Sequence, residues 1–260
     1  MNQTSNHRHH PIIIIPARLH SVRLPNKPLA DINGRAMILH CMDRALEADI
    51  APVLIAAADP EIVDLVTDAG GNAILTDPQL PSGSDRVFAA LEAYDPKRRH
   101  DLILNLQGDL PGLPPEYLIR LRDILIQDSK CDISSLASPM DYEQAQNPNF
   151  VKAIAGLTNI GDQAYSIGFT RAVAPWAQSM HDQSYLHHIG LYGWRRDALE
   201  RFVALPPSML EQRERLEQLR ALEAGMRLKL ELVATCPAGV DTQAELALAR
   251  LALAPKKRYS

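Results

Sequence analysis

The stretch IIIIPARLHSVRLPNKP, from Ile12 to Pro28, sets the fold class and points to a binding site. Its four consecutive isoleucines predict a strand buried on both faces, because a continuous aliphatic run leaves no side for solvent. The apolar run stops at Pro16, and three cations follow among further prolines: Arg18, Arg23 and Lys27. Cations at the mouth of a sheet favour a polyanion such as a triphosphate. A solvated basic loop is the alternative.

Three more apolar strand candidates follow in the first half of the chain, beginning at Pro52, Asn72 and Asp101. Helical patterns over 36–48, 60–70 and 84–94 separate the strands. Aliphatic strands that alternate with helices predict an α/β fold whose parallel sheet is covered on both faces. Ligands bind beyond the carboxyl ends of such strands. We therefore expect the site just after Ile15, Ala56, Thr76 and Leu106.

The second half is less regular, with strand candidates over 133–140, 152–158, 165–170, 189–194 and 228–235. Their close spacing predicts a mixed or antiparallel addition to the sheet. Helical patterns cover 197–206, 209–225 and 242–253. No linker or repeat divides the chain, so we expect a single domain over 11–260. The polar tail over 1–10 is expected to be disordered, and its cluster of His7, His9 and His10 lacks the fixed geometry of a metal site.

The composition excludes several classes of protein. Hydrophobic residues make up 46% of the 260 residues, which is ample for a packed core. A net charge of -4 argues against a nucleic-acid-coating protein. No stretch approaches the ~20 apolar residues of a membrane helix. The 3 cysteines form no CxxC motif, which favours free thiols in a reducing cytoplasm over a disulfide or metal role: Cys41, Cys131 and Cys236.

Two carboxylates stand where a metal could bind. Asp109 ends a strand in NLQGDLP, and Asp241 precedes a helix in AGVDTQAEL. Each could bind Mg²⁺, but Asp109 could instead cap a turn and Asp241 a helix. Two carboxylates at one metal, facing three cations, would suit phosphoryl or nucleotidyl transfer. The chain lacks GxxxxGK[ST] and GxGxxG, which disfavours P-loop kinases and Rossmann dehydrogenases.

Two further motifs have a structural and a functional interpretation. In PSGSDRV, the small residues Ser82, Gly83 and Ser84 would permit a ligand to approach a helix N-terminus, or Ser82 or Ser84 simply caps the helix. In HHIGLYGW, period-two alternation puts His188 and Tyr192 on one face of a strand. Spacing alone favours a structural role for this pair, and it marks Glu217 and Gln218 only as surface helix residues.

Five motifs in register resemble the CMP-Kdo synthetases, the 3-deoxy-manno-octulosonate cytidylyltransferases of Gram-negative bacteria. The resemblance covers about Pro11 to Leu253, through IPARLHSVRLPNKPL, PSGSDRV, NLQGDLP, HIGLYGWRRDALERFVALPPSMLEQRERLEQLR and GVDT. It implies a Rossmann-like, three-layer nucleotidyltransferase fold. It also implies Mg²⁺-dependent reaction of CTP with Kdo to give CMP-Kdo and pyrophosphate, for lipopolysaccharide synthesis. The family's homodimer would form through the second-half strands and helices.

The same resemblance implies roles for particular residues. The nucleotide site would contain Pro16, Ala17, Arg18, Arg23, Lys27, Ser82, Gly83, Arg86 and Asp109. The sugar pocket would be lined by Gln107, His188, Tyr192, Glu217 and Gln218. Mg²⁺ would be held by Asp109 and Asp241. Catalysis would depend on Arg18, Lys27 and Asp109, in a direct in-line displacement at the α-phosphorus without a covalent intermediate.

Two departures from the family pattern leave alternatives open. Leu110 stands where many members have Glu, which removes one negative charge beside the proposed metal. Ala57 and Ala58 stand where many members have Thr-Asp, and Asp59 comes one position later. The alternatives are a cytidylyltransferase for another acidic sugar, such as 8-amino-Kdo or sialic acid, and a nucleotide-binding regulator without catalysis.

Overall fold

The first strand, β1 (Pro11–Ala17), lies in the middle of the sheet in a computed structural model that describes residues 9–178 and 184–254. Residues 1–8 of the tail predicted to be disordered, with His7, lie outside these ranges. The other two tail histidines lie inside them, against the Asp101 carboxylate. His9 Nδ1 lies 2.5 Å from Asp101 Oδ2, and the His10 backbone N–H donates to Asp101 Oδ1 over 2.6 Å.

The remaining elements are numbered in chain order. The further strands are β2 (Asp31–Ile32), β3 (Arg35–Ala36), β4 (Val53–Ala57), β5 (Ala73–Leu75), β6 (Leu102–Asn105), β7 (Ile133–Met140), β8 (Lys152–Ile154), β9 (Gln163–Tyr165), β10 (Gly168–Thr170), β11 (Tyr185–Arg195) and β12 (Leu228–Leu232). The helices are α1 (Met37–Glu47), α2 (Pro60–Asp68), α3 (Gly83–Tyr94), α4 (Glu116–Gln127), α5 (Tyr142–Gln146), α6 (Arg196–Ala204), α7 (Met209–Glu214), α8 (Gln218–Glu223) and α9 (Gln243–Ala252).

The main sheet has the strand order β5-β4-β1-β6-β11-β7-β12-β9, with β8 and β10 attached beside β11. Strands β5, β4, β1 and β6 are parallel neighbours. Strand β11 is antiparallel to both β6 and β7, and β12 is parallel to β7. The prediction of an α/β fold with a mostly parallel sheet and a mixed second half is confirmed.

The isoleucines of β1 supply both cores, because successive side chains of a strand point to opposite faces. Ile13 and Ile15 pack in the core under α1, α2, α4 and α9, whereas Ile12 and Ile14 pack in the core under α3, α6 and α8. All four are fully buried, and each contributes about 1.5–3 kcal/mol by leaving water. The result is the predicted layer of helices on each face.

The predicted helix over 209–225 is wrong as a single element. It is divided into α7 and α8 because Arg215 ends α7 in the left-handed conformation, with φ 56°. Helix α4 is also absent from the predicted elements. Its buried apolar residues nevertheless have helical spacing, which is the signal that could have found it: Tyr117, Leu118, Leu121, Ile124 and Leu125.

In the described part of the chain, no helix combines the length and apolar character needed to cross a membrane.

Candidate active site

A cleft of about 430 Å³ opens beyond the carboxyl ends of β1 and β6. After β1 the chain builds β4 and β5 on one side, and then returns to place β6 on the other side of β1. Loops diverge at such a reversal of strand order and leave a crevice, which is where α/β sheets bind ligands. The cleft is lined by Pro16, Ala17, Arg18, His20, Ser21, Val22, Arg23, Lys27, Pro28, Ser82, Gly83, Arg86, Gln107, Gly108, Asp109 and Asp241.

The loop after β1 is held from below by apolar side chains. Leu24 is 1% exposed in the core, and the buried Pro28 lies within the short 3-10 helix Lys27–Leu29. Near its start, the Leu19 N–H donates to Asp59 Oδ2 over 2.8 Å. The loop is therefore fixed at both ends, while Arg18 remains exposed over the cleft.

Lys27 lies between the two predicted metal ligands. Its Nζ donates to Asp109 Oδ2 over 2.7 Å and to Asp241 Oδ1 over 2.9 Å. Arg23 Nη2 lies 2.8 Å from Asp241 Oδ2. Burial opposes the charge of the Lys27 ammonium, but the two carboxylates outweigh it and raise the pKa of Lys27. The sequence predicts that the cations face the two carboxylates. In the structure, Lys27 and Arg23 form ion pairs with those carboxylates.

Asp241 reaches Lys27 because the chain before α9 is tied to the loop after β6. The Val240 N–H donates to the backbone oxygen of Asp109 over 3.0 Å. Thr242 caps α9, since its Oγ1 accepts the Glu245 N–H over 3.3 Å. Thr242 thus performs the capping role that was one interpretation of Asp241, and the Asp241 carboxylate turns into the cleft.

Gly108 lets the loop after β6 pass close to β1. A Cβ at this position would lie 3.0 Å from the Pro16 backbone oxygen and 3.4 Å from Ile38 Cδ1. A larger residue would push the loop, and Asp109 with it, away from Lys27. Leu110, the departure from the family pattern, is 8% exposed and packs in the core under the loop. Its side chain therefore has a packing role beside the two carboxylates.

The N-terminus of α3 forms the opposite wall. Ser82 caps the helix, accepting the Asp85 N–H over 3.2 Å, and both Ser82 and Gly83 line the cleft. Arg86, 2% exposed, donates through Nη1 to Thr76 Oγ1 over 2.6 Å and to the Asp77 backbone oxygen over 3.0 Å. Burial and the nearby Arg18 charge lower the pKa of Arg86. Arg86 thus braces the segment after β5 against this wall.

His188 and Tyr192 lie on one side of β11, with ring centroids 5.6 Å apart. Between them, β11 bulges: Ile189 pairs with Leu136, whereas Gly193 pairs with Ser134. The register shifts by two residues, which preserves the alternation of side chains. The predicted common face of His188 and Tyr192 is confirmed for that reason.

His188 is held by hydrogen bonds in a buried position. Its Nε2 lies 2.9 Å from Ser135 Oγ, which itself lies 2.7 Å from the Leu191 backbone oxygen. Because the serine hydroxyl has one proton to donate, and the carbonyl can only accept it, His188 Nε2 carries its own proton. Gln218 Nε2 lies 3.4 Å from His188 Nδ1. Burial, helped by the charge of His187, lowers the pKa of His188 to about 3, so the ring is neutral near pH 7.

Glu217 joins this group to the N-terminus of α3. Its Oε1 accepts a hydrogen bond from Ser84 Oγ over 2.9 Å. Burial raises the pKa of Glu217, although the hydroxyls of Ser84 and Ser82 act in the opposite direction. Burial and the charge of Glu217 also raise the pKa of Tyr192 well above its usual value.

The fifth residue of the predicted sugar pocket, Gln107, lines the cleft itself, with Nε2 3.4 Å from Asn105 Oδ1. The other four are not among the residues that line the cleft, but they lie close to one another: His188, Tyr192, Glu217 and Gln218. Asn105 is absent from the predicted site residues; it is fully buried, and its Nδ2 has no partner among the described residues. Ser84 is predicted to allow ligand approach or to cap the helix, but its contact with Glu217 is not predicted. Both residues lie within the motifs NLQGDLP and PSGSDRV.

Asp109 and Asp241 provide a donor set that fits Mg²⁺. One oxygen of each lies within 2.9 Å of the same ammonium nitrogen, so the two carboxylates already converge on one cationic position. Both supply oxygen, the donor that Mg²⁺ prefers, and Mg²⁺ commonly takes its remaining ligands from substrate phosphates and water. In residues 9–178 and 184–254, no group of three or more His, Cys, Asp or Glu could hold a metal. The two carboxylates alone would therefore supply only part of the ligands of such an ion.

The chain is similar to known proteins in both sequence and fold. The family described as Cytidylyltransferase matches residues 12–228. A 3-deoxy-manno-octulosonate cytidylyltransferase of Parvibaculum lavamentivorans is 54% identical over 246 residues, 94% of this chain and 93% of the relative. One of Rhodospirillum centenum is 51% identical over 95% of this chain and 94% of the relative. The solved structure of CMP:2-keto-3-deoxy-manno-octonic acid synthetase complexed with CTP is 36% identical, with a TM-score of 0.87, over 94% of this chain and 98% of that one.

Proposed function

The chain belongs to the cytidylyltransferase family and, within it, to the 3-deoxy-manno-octulosonate cytidylyltransferases, and on that premise we propose how its cleft performs the reaction. The enzyme transfers the cytidylyl group of CTP to Kdo, giving CMP-Kdo and pyrophosphate. The alternatives of another acidic sugar and of a regulator without catalysis are not favoured, since the relatives share one named activity over nearly the whole chain.

The observation that supports the proposal most is the meeting of Lys27 with Asp109 and Asp241 at the β1–β6 crevice. Nucleotidyl transfer needs positive charge beside the departing pyrophosphate and a place for a divalent cation beside the phosphates. Both requirements fall at one point of this cleft. The exposed Arg18 and Arg23 extend the positive charge along the rim, where a triphosphate would lie.

In the proposed step, the anomeric hydroxyl oxygen of Kdo bonds to the α-phosphorus of CTP, the opposite bond from that phosphorus to pyrophosphate breaks, and the hydroxyl proton is released to solvent. The chain's own groups position both reactants and stabilise charge, which is the larger part of catalysis in such reactions. The triphosphate is bound by Arg18, Arg23 and Lys27. On the other wall, the nucleotide is bordered by Ser82 and Gly83. Arg86 holds that wall in place through Thr76.

Asp109 and Asp241 are proposed to hold Mg²⁺. The ion would neutralise phosphate charge and orient the α-phosphate. For both carboxylates to hold the metal ion, the Lys27 ammonium would have to leave them. It would then pair with oxygens of the triphosphate. The pairing of Lys27 with both carboxylates supports this exchange, because it keeps the two oxygens together before the metal arrives.

The sugar is proposed to lie against Gln107 and the other four predicted pocket residues. The neutral His188 has its Nε2 proton engaged by Ser135 and its Nδ1 engaged by Gln218, so it orients neighbours rather than transferring protons. Tyr192 retains its phenolic proton, since its pKa is well above the usual value. These groups suit recognition of a polyhydroxy acid by hydrogen bonding.

A substrate panel tests the proposed function. Purified protein is incubated with Kdo and Mg²⁺ and with each of CTP, UTP, ATP and GTP, and pyrophosphate release is measured. CTP should support the fastest release. A second panel replaces Kdo with 8-amino-Kdo or a sialic acid. Binding of CTP with no pyrophosphate released from any sugar would contradict the proposal.

We also propose a homodimer, formed through the second half of the chain, and a cytoplasmic reaction that supplies lipopolysaccharide synthesis. Large apolar side chains support the dimer, because Ile167 is 80% exposed and Trp176 is 83% exposed. Light scattering after size-exclusion chromatography should give twice the chain mass. Trp176→Glu should lower that mass, whereas Val22→Glu, an equally exposed position in the first half, should not.

A further inference from the structure

The hydrogen bond between Ser84 and Glu217 connects the N-terminus of α3, which forms one wall of the cleft, to the segment just before α8. Ser84 lies in the first turn of α3 and is fully buried, next to Ser82 and Gly83, which line the cleft. Glu217 immediately precedes α8, whose first residue, Gln218, contacts His188. The two partners are 133 residues apart in sequence, and their side chains meet over 2.9 Å. The contact therefore joins the nucleotide wall to the sugar side.

Glu217 is partly buried; burial disfavours its charged form, whereas the hydroxyls of Ser84 and Ser82 favour it. A carboxylate taken from water without hydrogen bonds either takes up a proton or moves to a position where it is solvated. Ser84 is a short, rigid donor: its side chain has one rotatable bond before the hydroxyl, and the fully buried helix turn fixes its backbone. The orientation of the Glu217 carboxyl is thus set by a residue of the opposite wall.

We propose that Ser84 is a positioning residue for the acceptor sugar, which it serves by holding the Glu217 carboxyl in the orientation that binds the sugar. The inference rests on the proposed function, in which Glu217 lines the sugar pocket. The contact between Ser84 and Glu217 also links two parts of the site. Because Ser84 shares its helix turn with the nucleotide wall, the placement of that wall and the geometry of the sugar pocket are mechanically linked.

Steady-state kinetics of pyrophosphate release test the role of Ser84. Ser84→Ala should raise the KM for Kdo about tenfold, the effect expected from losing one hydrogen bond to a charged group. The KM for CTP should stay within about twofold, because the groups proposed to bind the triphosphate are intact. Ser84→Thr keeps the hydroxyl and should restore the KM for Kdo. If Ser84→Ala raised both KM values equally, or if Ser84→Thr gave no rescue, the proposal would be overturned.

A double-mutant cycle separates positioning from general structural support. Glu217→Gln should itself raise the KM for Kdo, and adding Ser84→Ala should cause little further increase, since the two residues act as one unit. Independent, multiplying effects would contradict the proposal. If Ser84→Ala does not fold, Ser84→Cys, with a weak donor of nearly the same size, takes its place and should give an intermediate KM for Kdo.

Ser134→Ala is the matched control. Ser134 is also fully buried, and its hydroxyl donates to the Leu121 backbone oxygen over 2.7 Å, away from the cleft. This substitution should lower stability while leaving both KM values unchanged. The wild-type protein separates the two levels of inference. If it releases no pyrophosphate with CTP and Kdo, the proposed function fails, whereas normal wild-type kinetics with an unaltered KM in Ser84→Ala rejects only the role of Ser84.

Discussion

At the scale of single residues, the positive charge of Lys27 is central to the electrostatics of the site. Its ammonium joins Asp109 and Asp241, which are far apart in sequence. Together with Arg23, which pairs with Asp241, it offsets the charge of the two carboxylates and reduces the repulsion between them. The same arrangement leaves a compact, strongly hydrated cation in position to meet an incoming triphosphate.

Lys27→Ala should lower kcat/KM for CTP by about 100-fold or more, the loss typical of removing a group that stabilises transition-state charge. Pyrophosphate release at saturating Kdo measures the effect. Lys130→Ala is the control, because Lys130 is an exposed lysine after α4 and should leave the kinetics unchanged. An unaltered kcat/KM for CTP in Lys27→Ala would remove Lys27 from the catalytic set.

Lys27→Met should bind Mn²⁺, used as a probe for Mg²⁺, at least about tenfold more tightly than the wild type in the absence of CTP. The reason is that no ammonium then competes for the carboxylates of Asp109 and Asp241. Titration of free Mn²⁺ by electron paramagnetic resonance measures this affinity directly. Lys27→Met combined with Asp109→Asn should lose the gain. Equal affinities of the wild type and Lys27→Met would contradict competition between the two cations.

Gly108→Ala should lower activity about tenfold or more while the protein stays folded, because the added Cβ would lie 3.0 Å from the Pro16 backbone oxygen. This contact would press the loop after β6, which carries Asp109, away from β1, and small displacements of a positioned group are costly in catalysis. Gly112→Ala is the matched control, since a Cβ there meets nothing within 4 Å. Equal activity of both variants would mean that the loop tolerates the shift.

At the scale of elements, strand ends and helix starts do the positioning. The loop after β1 presents its cations because Leu24 and Pro28 are buried beneath it. The segment before α9 presents Asp241 because Thr242 takes the capping role. Arg215 separates α7 from α8. Its left-handed backbone ends α7 and redirects the chain toward Glu217 and Gln218.

Arg215→Gly should raise the free energy of unfolding by about 0.5–1 kcal/mol, since glycine adopts a positive φ without the steric cost borne by other residues. The shift in thermal midpoint measures this effect. Arg213→Gly is the control, because Arg213 lies inside α7, where glycine should destabilise by about 1 kcal/mol. If Arg215→Gly also destabilised the protein, the side chain of Arg215 would outweigh its backbone strain.

At the scale of the whole molecule, the burial of His188 makes stability depend on pH. Its pKa is about 3 in the folded protein and near ~6.5 in an unfolded chain. The unfolded chain therefore binds the proton more readily. The stability that His188 contributes is fully present above about pH 6.5 and is lost as the pH falls toward the folded pKa, by up to about 1.4 kcal/mol per pH unit.

His188→Gln should therefore reduce the loss of unfolding free energy between pH 7 and pH 5. Urea unfolding at the two pH values gives the change for each protein, and the difference between the proteins isolates His188. His20→Gln serves as the control, since His20 is exposed on the loop after β1. Identical slopes for the wild type and His188→Gln would contradict the burial of a neutral ring.

The amino-acid sequence by itself determined the architecture and the chemistry available at the cleft. Four isoleucines in succession require a strand buried on both sides, and the next helices and strands repeat with the periods of a covered parallel sheet. The position of Lys27 after β1 and of Asp109 after β6 then follows from strand-end geometry. Motifs in a fixed order supplied the remaining candidates, including His188 and Glu217, whose spacing alone suggested only structural roles.

Only the tertiary structure decided which of these groups touch. Lys27 and Asp241 are 214 residues apart, and Ser84 and Glu217 are 133 apart. Such contacts depend on the path of every loop between the two partners and on how deeply each charged group is buried. Neither property produces a local periodicity in the sequence. The ion pairs of Lys27, the neutral state of His188 and the bond from Ser84 to Glu217 therefore appear only when the chain is folded.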